Sequence, residues 1–405
     1  MSLRPVRLVL IATAALLLSP SAASAAWSVS PTRNVAGADT YLSAVDCSSA
    51  HSCMAVGYAI FQGSGGEPPR LLAVAERWNG TSWQMVPTPD PPSATGISLS
   101  GVSCPRPNVC FAVGGSASVS SSPDTRTPQI ERWDGASWSH QPTPDVGNGG
   151  LSAVSCSGPR DCTAVGGTFR SGGTDEQPLA ERWDGTGWRV QSTPVVPGSV
   201  FSELRGVACP LRRTCTAVGF SVTGNKGSPL VERWDGRINA WGLEAAPKPA
   251  GATDAGFAGV SCPHGPVCFA VGDSIRPPIP FVGTPRLTLA ERRVGSSWSV
   301  MPTPNQTPPP QGQANSELEG VSCPGRRACH AVGDAYGVDP SGFRAIAERF
   351  DGASWQLEST PSTGRSDSPL TGVSCPSRLF CMAVGSTGDF SMGGPAFALA
   401  EQWKP

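Results

Sequence analysis

Fourteen cysteines are the most regular set of potentially reactive side chains in this 405-residue chain. Thiols can bind metal, carry redox chemistry or form structural disulfides. A zinc site needs four ligands held together, and the four histidines share no position relative to the cysteines; a redox pair favours C-x2-C beside a helix. The uniform C-x5-C spacing therefore predicts structural disulfides, with no metal and no cofactor. The predicted pairs are Cys47 with Cys53, Cys104 with Cys110, Cys156 with Cys162, Cys209 with Cys215, Cys262 with Cys268, Cys323 with Cys329, and Cys375 with Cys381.

The charge of the chain argues against some partners, and its N-terminal segment indicates the compartment. The formal net charge is −1 and no basic tail is present, which argues against binding to nucleic acid or to an anionic membrane. Residues 1–25 contain Arg4 and Arg7, an apolar run too short to cross a bilayer, and Ala23-Ser24-Ala25. This is the pattern of a signal peptide, so we expect a secreted, soluble protein without membrane insertion, and a monomer.

The cysteine pairs lie in a repeat of about 52 to 61 residues that fills the chain after residue 26. Each copy contains four β-like runs, exemplified by Leu99–Cys104, Cys110–Gly114, Leu179–Trp183 and Trp188–Pro194. Such a period is typical of propeller blades, each a supersecondary unit that buries its core against its neighbours. We predict an all-β, seven-bladed β-propeller over 26–405 with four-stranded antiparallel blades. The blades are about 42–89, 99–144, 151–194, 204–249, 257–304, 318–361 and 370–403 plus 27–32.

The two ends of the chain support a closed ring. The seventh copy stops at Trp403 after three strands, and the missing fourth strand resembles Trp27–Thr32 at the N-terminus. A ring built this way leaves no sheet edge exposed at the junction. We therefore expect 27–32 to pair with 397–403.

The repeated residues are best explained by folding. All twelve tryptophans occupy two positions of the repeat, where inter-sheet packing is favoured over a platform for ligands. Asp-Gly or Asn-Gly dipeptides such as Asp134-Gly135 and Asp184-Gly185 fall between the third and fourth runs, where they predict hairpin turns. Arg293 and Phe350 replace the third-strand tryptophan in two copies.

Variation between copies points to the opposite face. The connections from the second to the third strand, and from the fourth to the first, carry most of the differences in length and composition. We place any binding site on this variable face beside the channel mouth, although the loops could also be simple spacers. The candidate binding residues are Tyr58, Phe61, Asp175, Asp273, Asp334, Tyr336 and Asp389.

With its Leu-x-Gly-Val-Ser-Cys start and Glu-Arg-Trp-Asp-Gly-x-Ser-Trp hairpin, the repeat resembles the short propeller repeats of secreted bacterial proteins. Asp134, Gly135 and Trp138 are similar to the Asp-box of sialidase-like (BNR) propellers but stand one residue closer together, and the late Trp loosely resembles kelch repeats. The resemblance implies a propeller and no particular chemistry.

Two functional hypotheses follow, with metal-dependent adhesion as a weaker third. A non-catalytic scaffold would bind a protein or carbohydrate on the variable face. A sialidase-like hydrolase would need an acid/base carboxylate, a nucleophile and substrate-binding arginines. Acids at non-repeated positions are available, but their spacing selects no catalytic pair. A mouth pocket with at least two acids and two arginines would favour the enzyme. The available acids are Asp39, Asp175, Glu176, Glu203, Asp273, Glu317, Asp334 and Asp389.

Overall fold

A computed structural model describes most of the chain after the N-terminal segment. The predicted signal peptide, residues 1–25, and Asp175 lie outside the described residues. The described ranges are 26–63, 69–89, 96–117, 126–169, 176–278, 283–305, 315–336 and 342–405.

The described chain is built from 28 strands and one short 3-10 turn at Phe390–Met392, and it contains no α-helix. In chain order the strands are β1 (Ala26–Val29), β2 (Asp39–Ser49), β3 (Ser52–Phe61), β4 (Arg70–Trp78), β5 (Trp83–Met85), β6 (Ile97–Arg106), β7 (Val109–Ala117), β8 (Arg126–Trp133), β9 (Trp138–Gln141), β10 (Asn148–Gly158), β11 (Asp161–Phe169), β12 (Glu176–Trp183), β13 (Trp188–Gln191), β14 (Ser199–Leu211), β15 (Thr214–Thr223), β16 (Lys226–Asp235), β17 (Ala240–Leu243), β18 (Asp254–His264), β19 (Val267–Ile275), β20 (Arg286–Val294), β21 (Ser297–Met301), β22 (Asn315–Gly325), β23 (Ala328–Tyr336), β24 (Phe343–Phe350), β25 (Trp355–Glu358), β26 (Leu370–Ser377), β27 (Phe380–Gly388) and β28 (Ala396–Lys404).

The strands form antiparallel four-stranded units, as the repeat predicted. Five units are separate sheets, including β2-β3-β4-β5 and β22-β23-β24-β25. The two units β10 to β13 and β14 to β17 are joined into one eight-stranded sheet by a single parallel pairing of Glu176 with Phe201. This junction was not anticipated from the repeat.

The N-terminal strand is the outer strand of the last unit. β1 pairs with β28 in the order β1-β28-β27-β26, with Trp27 opposite Trp403. The pairing continues past β1, because Ser30 donates its N–H to the Ala400 carbonyl at 2.8 Å and Thr32 donates its hydroxyl to the Ala398 carbonyl at 2.8 Å. The N-terminal segment therefore protects the edge of β28.

The first strands of successive units pack side by side around a common cavity. Hydrogen bonds from a cysteine N–H to a side chain of the preceding unit connect several of them, to a serine hydroxyl from Cys156 to Ser103 at 3.1 Å and to a carboxylate from Cys104 to Asp46 at 2.6 Å. The first and last units are connected in the same way, from Cys47 to Ser374 at 2.9 Å, and β2 contacts β26. A cavity of about 360 Å³, lined by residues of all seven first strands, lies between them.

A bulge follows the regular leucine of each first strand, or Phe257 in the fifth unit, for example between Leu42 and Ala44. It brings the neighbouring strand so close that a Cβ on Gly57 would lie 2.0 Å from the Tyr41 carbonyl oxygen. Only glycine fits there, which explains the regular Ala-Val-Gly of the second strand. Bulges re-aim adjacent side chains. Residues beside the bulges, such as Arg205 and Glu319, line the shared cavity, and we call the end of the cavity at which the bulges lie its mouth.

The structure confirms the disulfides that the C-x5-C spacing predicted. Each bridge joins the first strand of a unit to the second strand, close to the turn between them, and no free cysteine occurs in the described residues. The loop that each bridge closes is short, with a sequence separation of 6, so the bridges fix the hairpins locally rather than join separate units. The bonded pairs are Cys47 with Cys53, Cys104 with Cys110, Cys156 with Cys162, Cys209 with Cys215, Cys262 with Cys268, Cys323 with Cys329, and Cys375 with Cys381.

The tryptophans pack between the sheets. All twelve are buried. Trp78 and Trp83 of the first unit pack with Phe380 and Met382 of the last unit. The rings therefore join neighbouring sheets rather than present a platform for ligands.

Arg293 replaces a tryptophan because an acid stands opposite it. Its guanidinium donates to both carboxylate oxygens of Glu244, from Nε at 2.8 Å and Nη2 at 2.7 Å, while its side chain is only 2% exposed. Trp298 donates to the same carboxylate at 3.2 Å. At the position that corresponds to Glu244 one repeat earlier stands the neutral Gln191, which accepts a hydrogen bond from Trp241 at 3.0 Å.

The regular Glu of the Glu-Arg pair is buried in every unit. Glu76 accepts the Arg33 N–H at 3.0 Å, but in the other six copies a proline follows the tail at the position of Arg33, and proline has no N–H. Burial raises the pKa of these carboxyls, to about 7 for Glu76 and about 8 for Glu232. Within the described chain both carboxyl oxygens lack a hydrogen-bond partner in Glu181, Glu232, Glu291 and Glu401.

Candidate functional site

Three positions beside the bulge differ from copy to copy and face the mouth. One precedes the regular leucine, one follows it, and one follows the regular glycine of the second strand. Strand register places the first and third directly opposite each other, as in Glu317 with Asp334. The three sets are Tyr41, Ser98, Gly150, Glu203, Gly256, Glu317 and Pro369; Ser43, Ser100, Ser152, Arg205, Ala258, Glu319 and Thr371; and Tyr58, Gly115, Gly167, Phe220, Asp273, Asp334 and Ser386.

Charged residues at these positions converge on one side of the mouth. A cavity of about 420 Å³, which we call the mouth cavity, is lined by Asp254, Asp273, Glu317 and Glu319 together with the two arginines Arg205 and Arg286. Phe220 and Ile275 supply apolar wall. The cavity therefore contains four carboxyl groups and two guanidinium groups.

Both arginines of the mouth cavity are already paired. Arg286 bridges Glu317 and Asp273, with its Nε 3.4 Å from an Asp273 oxygen. Arg205 donates to Glu203 at 3.2 Å and lies 4.3 Å from the centre of the Phe220 ring. These contacts hold the guanidinium groups in place and neutralise part of the acidic charge.

A second cavity of about 370 Å³, the side cavity, adjoins the first and shares Arg286, Glu317 and Ile275 with it. Asp334 and Asn315 supply its other polar groups. Tyr336 and Phe343 form an aromatic pair on its wall, with ring centres 5.1 Å apart. We call these two adjoining cavities together the acidic depression.

The acids of this depression are strongly perturbed. Burial, followed by repulsion from Glu317 and Glu319, raises the pKa of Asp334 to about 7, against a lowering by Arg286. Burial and then repulsion from Glu317 raise the pKa of Glu319 to about 7 as well, and burial raises that of Asp273. These carboxyl groups are therefore poised to gain or lose a proton near neutrality, or to ionise when a cation arrives.

The first unit contributes the aromatic side of the mouth. Tyr41 and Tyr58 stack with ring centres 5.1 Å apart, and Phe390 lies edge-on to Tyr41 at 6.2 Å. Burial raises the pKa of Tyr58, so its hydroxyl is neutral at physiological pH. Farther along the axis the shared cavity is lined by small residues of the first strands, such as Ser100, Gly101 and Thr371.

The structure brings together some of the residues that the sequence selected. Asp273, Asp334 and Tyr336 line the acidic depression. Tyr58 lies in the aromatic side of the mouth, and Phe61 pairs with Arg70 at the end of β3.

Asp389 belongs to a loop contact. It accepts hydrogen bonds from the Ser366 N–H and hydroxyl and from Arg365. These contacts lower its pKa and place it outside both cavities. Asp389 therefore stabilises the loop that carries it.

Sequence reasoning missed the partners of these acids. Arg205, Arg286 and Glu319 were not selected, and Glu317 was noted only as a non-repeated acid. The available signal was the positions beside the regular leucine and glycine, where charged residues appear in the fourth to sixth copies and only uncharged residues in the others. Spacing along the chain cannot show this, because the cavity combines separate repeats.

No group of three or more potential metal ligands occurs in the described part of the chain. Among the residues with assigned positions, none forms a helix long and apolar enough to cross a membrane.

Comparison with known proteins identifies the fold. No family model and no curated protein matches the chain. Among solved structures, YCF48 bound to a D1 peptide is 12% identical, with 93% of this chain and 96% of that chain covered and a TM-score of 0.50. A Dyadobacter fermentans protein of unknown function is 11% identical (94% and 98% covered, TM-score 0.49), as is the phage phi92 endosialidase (90% and 69%, TM-score 0.45). The likeness to YCF48 supports a β-propeller-like fold and no particular activity.

Proposed function

We propose that this protein is a secreted, non-catalytic binding module that takes a positively charged segment of a protein ligand into the acidic depression at its mouth. The observation that carries the proposal is the charge of that depression. Five carboxyl groups line the two cavities, from Asp254, Asp273, Glu317, Glu319 and Asp334, and only Arg205 and Arg286 oppose them. Complementary charge gives such a site its specificity and its association rate.

Several observations support a peptide as the ligand. The depression extends over two adjoining cavities that share lining residues, which suits an extended chain better than a compact small molecule. Tyrosines beside polar groups favour peptide contacts because they combine apolar area with hydrogen bonding. YCF48, which has a similar fold, was solved with a peptide bound. The signal-like N-terminus and seven disulfides favour an extracellular place of action.

The proposal includes a closed, seven-bladed ring as the scaffold. Its support is the pairing of β1 with β28, the Cys47–Ser374 hydrogen bond and the contact of β2 with β26. Such a ring would hold the fourth to sixth blades rigidly enough to keep the depression preformed.

A sialidase-like or other glycan hydrolase is the second candidate. It is favoured by the opposed pair Glu317 and Asp334, because a carboxyl with a pKa of about 7 can act as a general acid. The mouth also meets the criterion of two acids and two arginines. Against it, Arg205 and Arg286 are both paired with carboxylates, so neither stands ready to hold a substrate carboxylate.

One binding panel separates these candidates. The protein is tested against immobilised basic peptides, acidic peptides and a glycan array, with reducing-end release as the readout for hydrolysis. We expect retention on basic peptides without glycan cleavage. Turnover of any glycan that disappears in Asp334→Asn would replace the binding function with the hydrolase, and preference for acidic peptides would overturn the charge argument.

Binding to basic peptides should strengthen as the pH rises. Asp334 and Glu319, with pKa values of about 7, are largely protonated at pH 5.5 and ionised at pH 8. Lysine side chains stay charged over this range, so we expect affinity for octalysine to increase at least about tenfold. Fluorescence anisotropy at constant ionic strength measures it. The Glu319→Gln/Asp334→Asn double variant serves as control and should show a flatter profile; an unchanged slope would assign the effect elsewhere.

A further inference from the structure

The side cavity contains a largely buried carboxyl group for which the described residues supply no partner. Asp334 is 8% exposed and forms no hydrogen bond or ion pair with any residue that the structure describes. The neighbouring acid Glu317 differs, because it is paired with Arg286. A buried carboxylate without a partner is unfavourable, so the site gains most from a ligand that brings a cation to Asp334.

The walls of the side cavity suit an alkyl chain. Ile275, Tyr336 and Phe343 line the same cavity as the Asp334 carboxyl and supply apolar surface, and Tyr336 remains 49% exposed. A long aliphatic side chain can bury its methylenes against such walls while its charged end reaches a carboxylate. The exposed tyrosine ring can also contact a cation through its face.

Charge and geometry favour an ammonium group over a guanidinium group. Arg286 already places one guanidinium beside Glu317, and a second would have to approach it closely. A guanidinium also prefers two acceptors in a plane, whereas Asp334 is the one carboxyl without a partner among the described residues that line the side cavity. A compact ammonium needs one carboxylate and can use the oxygens of Asn315 and Thr284, which line the same cavity.

We propose that the side cavity is a pocket for one lysine side chain of the ligand, with Asp334 as its ammonium acceptor and Ile275, Tyr336 and Phe343 around its methylenes. This assignment rests on the proposed binding of a basic peptide at the mouth. The peptide backbone would continue from the side cavity over Arg286 into the mouth cavity, because the two cavities share that residue.

The pocket is tested with a small probe that does not require the natural ligand. Nα-acetyl-lysine methylamide and its norleucine and arginine counterparts are titrated by ligand-observed NMR at pH 8. We expect the lysine derivative to bind at least about tenfold more tightly than the norleucine derivative, since the two differ only in the ammonium group. The arginine derivative should bind more weakly than the lysine derivative.

Two variants make the test specific. Asp334→Asn keeps the shape of the side chain and should reduce lysine binding to the level of norleucine. Asp389→Asn removes a carboxyl of the same face outside both cavities and should leave binding unchanged. Equal binding of lysine and norleucine by the native protein, or full lysine binding by Asp334→Asn, would overturn the pocket.

The proposed binding of a basic peptide and the lysine pocket can fail independently of each other. Octalysine binding that is lost in Asp273→Asn/Glu319→Gln but kept in Asp334→Asn would preserve the mouth as the binding site and remove the lysine pocket. Lysine-derivative binding without any octalysine binding would preserve the pocket and exclude a basic peptide as ligand. Selective binding of an amino sugar over the lysine derivative would replace the peptide with a glycan.

Discussion

Replacing Glu244 by alanine should lower the free energy of unfolding by about 3 to 5 kcal/mol, because the change leaves a buried guanidinium without its counterion. Arg293 is 2% exposed and depends on Glu244 for two hydrogen bonds. The ion pair stands where most other copies have a tryptophan, so the apolar alternative is available within the same chain. Denaturant unfolding monitored by tryptophan fluorescence measures the loss.

A rescue variant separates the ion pair from general damage. Arg293→Trp combined with Glu244→Gln copies the arrangement of Trp234, Trp241 and Gln191 and should recover most of the stability. The exposed pair of Arg189 and Asp184 is the control, since Arg189→Ala should cost less than about 1 kcal/mol. Equal effects of Glu244→Ala and Arg189→Ala would show that burial does not determine the strength of these pairs.

The protein should be more stable at pH 5.5 than at pH 8.5. Burial raises the pKa of the regular glutamates to about 8 in four units and about 7 in two others, above the 4.5 of an exposed Glu. The folded state therefore binds more protons than the unfolded state between about pH 4.5 and 8. The stability that these glutamates contribute is fully present below pH 4.5 and is lost as the pH rises through their pKa values in the folded state.

The size of this effect is large because the groups act in several units at once. One pKa unit corresponds to about 1.4 kcal/mol for each group, so even partial shifts add up to several kcal/mol. Urea unfolding at both pH values measures the difference. Glu232→Gln removes one titration without changing shape and should flatten the dependence and stabilise the protein at pH 8.5. Higher stability at pH 8.5 than at pH 5.5 would show that these carboxyls are ionised in the folded state.

The strands and disulfides could be predicted because the same sequence pattern recurs in each copy of the repeat. Seven C-x5-C pairs and seven sets of alternating runs agree, so an error in one copy is corrected by the others. The match of Trp27–Thr32 to later copies predicted the pairing of β1 with β28. The single parallel pair of Glu176 with Phe201 was not predictable, since it depends on local geometry present in one unit only.

The residues that line the two cavities could be predicted from the sequence only in part. Asp273, Asp334 and Tyr336 were selected from variable loops and do line the acidic depression. Their partners Arg205 and Glu319 were missed because they lie within regular first strands, which were interpreted as scaffold. Arg205 and Glu319 are more than one hundred residues apart in the sequence but line the same cavity. The period of the repeat does not predict such contacts between units.

The most direct measurement for the proposed function is the affinity of the native protein and of the Asp273→Asn/Glu319→Gln variant for fluorescein-labelled octalysine and octaglutamate. Both substitutions lie in the mouth cavity and preserve side-chain shape. We predict that octalysine binds the native protein, that affinity falls at least about tenfold in the variant and with added salt, and that octaglutamate does not bind. Octalysine binding that is equal in both proteins, or binding of octaglutamate, would contradict the assignment of the acidic depression as a site for a basic protein segment.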